Sequence, residues 1–217
     1  MAMPMRDDPH DTSLLRLAAR GDQAAWGALL ARSRDRLKRM VALRLDRRLQ
    51  GRVDASDIIQ EAHLEATARL LEYARNPAMP WFVWLRFLVG QQLLTVHRRH
   101  LGAQARDAGR EISIHQGALP EATSASLAAR LLGRNTRASE ALARAERRLR
   151  LEEALNRMDP LDREVLALRH FEQLSNAETA AVLGIHESAA SKRYLRALKR
   201  IKEVLAQMPG GLKELQP

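Results

Sequence analysis

The sequence predicts an all-α protein of two small helical domains joined by a flexible linker. Three observations carry this. Nearly every patterned segment repeats its apolar residues with the helical period. No convincing pair of strands appears; the alternation Glu111-Ile112-Ser113-Ile114 is short and isolated. A glycine-, serine- and proline-bearing stretch interrupts the helical pattern midway.

The elements follow in order. Leu14, Leu17 and Ala18 mark a first helix that ends at the Gly21-Asp22 break. Asp22 is placed to cap a second, which carries Trp26, Leu29, Leu30, Leu37, Met40, Val41 and Leu45. A third starts near Asp54 and runs through Ile59, Ala62, Ala66, Leu70 and Tyr73 until Asn76-Pro77 and Pro80 stop it. A fourth starts at Trp81 and reaches at least His100. These helices make one domain, residues 10–101. Residues 102–135 hold Gly102, Gly109, Gly117, Pro120, Ser124, Ser126 and Gly133, and read as a linker with a short helix at residues 127–132. A second helical domain occupies residues 136–208.

Composition narrows the function. The chain has 217 residues, no cysteine and a formal net charge of +10. Without cysteine there is no disulfide framework and no thiolate metal site, which fits a cytoplasmic protein. Residues 1–10 lack a secretory apolar core, and the longest apolar stretch, residues 81–94, is broken by Arg86, Gln91 and Gln92, so no membrane insertion is expected. The excess positive charge points to a polyanion, most simply nucleic acid.

The C-terminal motif sharpens that reading. In Leu174-Ser175-Asn176-Ala177-Glu178-Thr179, Ser175 and Glu178 form a capping box that opens a short helix ending at Leu183. Gly184 supplies the positive φ that ends it, and Ile185 packs back. A further helix begins near His186 or Glu187 and turns Ala190, Tyr194, Ala197, Leu198 and Ile201 to the core. Short helix, glycine turn and basic helix are the parts of a helix-turn-helix that reads the major groove. Ser188, Ser191 and Lys192 are the candidates for base edges, and Arg193 and Arg196 for phosphate or guanine, with Lys199 further along the same basic helix. The plainer alternative is an αα-hairpin with a solvated basic face.

Two features of the N-terminal domain ask for a task. Asp57, Glu61 and Glu65 stand at i, i+4 and i+8 and form an acidic stripe, with Gln60 alongside. Acids at a helix start favour the helix dipole; the functional reading is a docking face for a basic partner protein. Trp81-Phe82-Val83-Trp84-Leu85-Arg86-Phe87 then packs four aromatics into seven positions of a chain only 4% aromatic. Aromatics with cations on one element suit single-strand binding, although most of these rings are expected in the core. Arg86, Gln91, Gln92, His97 and Arg98 are the better candidates for nucleic-acid contact.

Together these parts resemble a bacterial RNA polymerase sigma factor of the extracytoplasmic-function group of the sigma-70 family. Asp54-Ala55-Ser56-Asp57-Ile58-Ile59-Gln60-Glu61 looks like the family's helix that docks on the clamp helices of the polymerase β′ subunit. Trp81 through Arg99 looks like the helix that melts and reads the −10 element, and Leu161-Asp162-Arg163-Glu164-Val165 with the helix-turn-helix looks like the region that reads the −35 element and touches the β flap. The resemblance implies core RNA polymerase and promoter DNA as partners, allows an anti-sigma protein, and implies no cofactor, no metal and no catalysis. It assigns polymerase binding to Asp57, Gln60 and Glu61. It assigns the −10 element to Trp84, Arg86, Gln91, Gln92, His97, Arg98 and Arg99, and the −35 element to Ser188, Ser191, Lys192, Arg193, Arg196 and Lys199. The linker is long for the group, and two further departures stand out. Asn76-Pro77-Ala78-Met79-Pro80 precedes Trp81 where the family more often has a Ser/Gly-rich loop, and the recognition helix opens Glu187-Ser188-Ala189-Ala190 where a Thr-Val pair is more usual.

The alternative function is a stand-alone helix-turn-helix regulator of duplex DNA, which leaves the acidic stripe and the aromatic helix idle. An enzyme acting on DNA lacks any nucleophile-and-base set or closed ligand group.

Overall fold

A computed structural model describes residues 8–101, 120–133 and 141–208 of the chain. The chain forms two compact units, Met1–Pro120 with Ala180–Gly184, and Glu121–Thr179 with Ile185–Pro217. The described residues form helices and the turns between them, and their sole β-type pairing is an isolated bridge between Gln50 and Val53. The expected alternation at residues 111–114 lies outside the described residues. No described helix is long and apolar enough to cross a membrane.

The first unit is built on four helices, α1 (Pro9–Ala19), α2 (Gln23–Arg44), α3 (Ala55–Arg75) and α4 (Trp81–Leu101). Each boundary has a local cause. Asp8 caps α1 with Pro9 at its first position. Gly21, at φ 95°, turns the chain, and Asp22 Oδ1 accepts from the Ala25 amide at 2.9 Å to open α2. Asp54 Oδ1 accepts from the Ser56 amide at 2.8 Å to open α3, which ends at Asn76. Helices α2, α3 and α4 pack against one another, and α1 closes on α2 and α3. Their shared core holds Leu29, Leu37, Met40, Ile58, Ile59, Ala62, Trp81, Leu85, Leu88 and Leu93, all at or below 3% exposure. Each such leucine contributes roughly 1.5–3 kcal/mol by leaving water.

All three tryptophans join this core. Trp26 meets Trp81 edge-on at 5.5 Å, Trp81 lies 5.4 Å from Trp84, and Tyr73 stacks on Trp84 at 4.4 Å. Trp26 Nε1 donates to Thr67 Oγ1 at 3.1 Å, which ties α2 to α3. The Tyr73 hydroxyl donates to the Met79 carbonyl at 2.8 Å and so pins the proline-bearing turn that leads into α4.

The second unit contains α5 (Ser124–Leu131), α6 (Ala141–Asn156), α7 (Pro160–Leu166) and α9 (Glu187–Ala206). Of the segment expected to be a linker, residues 102–119 and 134–135 lie outside the described residues. Between them α5 is capped by Thr123, whose Oγ1 accepts from the Ser126 amide at 3.1 Å, and packs on α6 with Leu127 and Ala128 fully buried. Helix α9 packs against α6 and α7, burying Ala190, Ala197 and Ile201. Asp159 caps α7 with Pro160 at its first position, and α7 continues into a single π-turn, Ala167–Phe171. Gln173 leaves that turn in the left-handed region at φ 58°.

Candidate nucleic-acid interface

The helix-turn-helix has the local chemistry expected of it. The Ser175 amide donates to Glu178 Oε2 at 2.6 Å, and the Glu178 amide donates to Ser175 Oγ at 3.1 Å, so the capping box is reciprocal. It opens α8 (Asn176–Leu183). Gly184 follows at φ 63°, a conformation that costs glycine little. Asn176 Nδ2 then donates to the Glu187 carbonyl at 2.8 Å, fastening the start of α8 to the first turn of α9.

On α9, Ser188, Ser191, Lys192 and Lys199 are exposed and share one face by their 3.6-residue spacing. Leu195 sits in the middle of that face, 63% exposed. Sequence reading passed over it because a leucine at helical spacing is ordinarily core; its place among serines and lysines is the signal that was available. The two arginines stand apart. Arg193 Nη1 donates to Asp162 Oδ1 at 2.5 Å and to Asp159 Oδ1 at 3.3 Å, and Arg196 Nε pairs with Asp162 Oδ2 at 3.1 Å. Arg193 is 26% exposed and faces α7; Arg196, at 63%, reaches solvent. Both were candidates for contact with phosphate or guanine. Arg193 instead spends its guanidinium on the second unit's own carboxylates.

In the first unit, Asp57, Gln60 and Glu61 are all exposed on α3, and their spacing puts Leu64, 60% exposed, on the same face. Glu65, the third acid of the stripe, departs from it. Its Oε2 accepts from Gln92 Nε2 at 3.0 Å and its Oε1 pairs with Arg69 at 3.2 Å, so it braces α4.

Helix α4 presents fewer groups than expected. Trp84 is half-buried by its stack on Tyr73, and Gln91 and Gln92 are half-buried. Arg98 and Arg99 are exposed at the C-terminal end. Arg86 is a correction: it is 4% exposed, on the stripe it shares with buried Phe82, Val89 and Leu93, so it belongs to the interior rather than to a nucleic-acid face. His97 is half-engaged, since its Nε2 accepts the Asp46 amide at 3.2 Å and ties α4 to the end of α2.

That bond requires a neutral imidazole. Burial holds His97 below the ordinary 6.5, with Asp46 opposing and Arg48 adding to the shift, and burial likewise lowers His63 and His170. The unfolded chain therefore takes up protons that the folded chain resists, and stability is full above about pH 7 and is lost as pH falls through 6.5 towards the lowered folded values. Thermal melts should show a lower midpoint at about pH 5.5 than at about pH 7.5, and His97→Gln should shrink the difference; equal midpoints in the wild type would contradict the buried-imidazole account. Among the described residues no three of His, Cys, Asp or Glu cluster to hold a metal ion.

Comparison with known proteins agrees with these features. The family "Sigma-70, region 4" matches residues 148–201, a span that runs from α6 through the helix-turn-helix. The chain is 42% identical over 55 residues to the RNA polymerase sigma-E factor of Streptomyces antibioticus and 43% identical over 55 residues to that of Streptomyces coelicolor. Each match spans 25% of this chain and 31% of the relative's length. Among solved structures, CnrH in complex with the cytosolic domain of CnrY shares the fold with a TM-score of 0.51 at 22% identity, over 91% of this chain and 97% of that one. Sequence similarity to sigma-70 region 4 thus falls on the C-terminal helix-turn-helix, and the fold along most of the chain is similar to that of CnrH.

Proposed function

We propose that the chain binds core RNA polymerase and directs it to specific promoters for transcription initiation, supplying no catalysis of its own. The observation that carries this is the region 4 match falling on a helix-turn-helix whose second helix exposes a basic face, in a chain that shares the fold of CnrH over 91% of its length. The division of labour follows the helices. Residues 10–101 dock on the β′ clamp helices through Asp57, Gln60, Glu61 and the added Leu64, and handle the −10 element. There, Trp84, Gln91 and Gln92 line the approach, with His97 at its edge and Arg98 and Arg99 supplying charge for the non-template strand. A flipped base costs about a few kcal/mol to unstack, which stacking and cationic contacts must offset.

Residues 136–208 read the −35 element through Ser188, Ser191, Lys192, Leu195, Arg196 and Lys199 and touch the β flap, while residues 102–135 connect the two functions. CnrH is solved with the cytosolic domain of CnrY; a restraining anti-sigma protein is the corresponding partner for this chain, and the cytoplasm the corresponding compartment. The test adds this protein to core polymerase on genomic DNA and maps RNA 5′ ends. New, sequence-related start sites should appear only when both are present. A protein that binds duplex DNA but changes no start site and does not associate with core polymerase would be a stand-alone regulator instead.

A further inference from the structure

Asp162 is a buried carboxylate of the second unit that is shared by two arginines. It is 2% exposed, it sits in the first turn of α7, and its two oxygens are divided between two arginines of α9. Oδ1 takes Arg193 Nη1 at 2.5 Å and Oδ2 takes Arg196 Nε at 3.1 Å. Asp159, one turn earlier, adds a 3.3 Å contact to Arg193, but it is 52% exposed and already accepts the Leu161 and Asp162 amides as the helix cap. A buried carboxylate holding two cations is more than stability asks for, since the desolvation of such a group commonly cancels its attraction. Its geometry does something else to the two arginines. It draws Arg193 inward, to 26% exposure, and meets Arg196 at Nε while that side chain stays 63% exposed.

We propose that Asp162 is a positioning residue for DNA specificity: it withholds Arg193 from the phosphate backbone and fixes Arg196 in one orientation towards the base edges. The inference rests on the DNA-reading assignment of α9 and goes beyond it. An arginine free to swing adds sequence-independent affinity, because each phosphate neutralised releases counterions. An arginine held by its Nε presents a planar fork of terminal N–H groups, and that fork is what pairs bidentately with guanine. A single acid on α7 thus suppresses non-specific binding by one cation and raises discrimination by another.

The test uses the full chain and two probes. One is the duplex that the wild-type chain selects from a randomised pool, and the other is a duplex of scrambled sequence. Salt titrations give the slope of log K against log salt on each. Asp162→Asn keeps the side chain's shape and one acceptor but drops the charge. It should steepen the slope on scrambled DNA by about 0.9, one added phosphate contact, and lower the selected-to-scrambled ratio by at least about fivefold, the low end for one bidentate contact. The double variant D162N/R193Q should return the slope to the wild-type value while the ratio stays low, because Arg196 remains unheld. This variant also leaves no half-buried cation orphaned, since Arg196 is 63% exposed, and serves if D162N alone folds poorly. Asp162→Glu should recover part of the ratio. A wild-type chain that selects no sequence overturns the DNA-reading assignment and this inference with it. A selective wild type whose D162N and D162N/R193Q variants keep its slope and its ratio overturns the inference alone, as does a loss of binding to both probes in equal proportion.

Discussion

Replacing Asp57 and Glu61 together with lysine should weaken association with core RNA polymerase by roughly tenfold to a hundredfold and leave helicity near that of the wild type. Both side chains are exposed on α3, and the opposite face of the helix holds the core through Ile58, Ile59, Ala62 and Ala66. The substitutions therefore change the field of the surface without disturbing packing. The size of the effect comes from juxtaposing like charges with a basic partner, which costs more than deleting one partner of a rim pair. Lysine near the start of α3 also opposes the helix dipole by about 0.3–1 kcal/mol per exposed charge, so a small loss of thermal stability is expected and a large one is not. A titration of labelled protein with core polymerase measures the first quantity and circular dichroism the second. Unchanged affinity with intact helicity would remove α3 from the docking surface. Leu64→Ala is a milder companion: it removes an exposed apolar group from the same face and should lower affinity without altering charge.

A second large effect is expected on the DNA rather than the protein. Inserting about five base pairs between the two promoter elements, half of a helical turn of 10–10.5, places one element on the far side of the duplex. If both DNA-reading domains are held on the polymerase, this insertion should nearly abolish transcription from that promoter. Inserting about ten should restore a part of it, since the face is recovered and only the distance changes. Run-off transcription on the three templates gives the answer. Equal output from all of them would mean that the two domains search for their elements independently, as a tethered regulator does, because a loop of this length spans many separations at small entropic cost.

Helix existence and helix ends were readable from residue pattern where the cause was local. Asp22, Asp54, Ser175 with Glu178, and Gly184 each act through their own backbone or a neighbour within one turn. What the pattern hid depends on tertiary partners. Arg86 was expected outside because arginine is rarely buried, and only the packing of α4 shows that its stripe faces inward. Glu65 belongs to the acidic stripe by spacing, yet Gln92 on α4 and Arg69 claim it. Arg193 belongs to a basic helix by sequence, yet α7 supplies Asp162 from 31 residues away. Leu64 and Leu195 look like core by type and are exposed in fact. The charged faces of α3 and α9 were legible in sequence; the exposed leucines at their centres were not, since spacing alone does not say which side of a helix meets solvent.

The placement of the indole rings has a spectroscopic consequence. Trp26, Trp81 and Trp84 make up the chain's full complement of three tryptophans, and all lie within the first unit, as does Tyr73, stacked on one of them. Tyrosine and tryptophan emission thus divides unequally: with excitation selective for indole, the signal comes from the first unit alone and the second is dark. Trp84, half-buried beside the candidate strand-binding surface, is the ring best placed to change its quantum yield when a nucleobase stacks nearby. The unlabelled protein therefore carries its own reporter on one half. Melting curves followed by emission and by far-ultraviolet ellipticity separate the unfolding of the two halves wherever those events occur at different temperatures, and quenching by single-stranded oligonucleotides isolates what the first half binds.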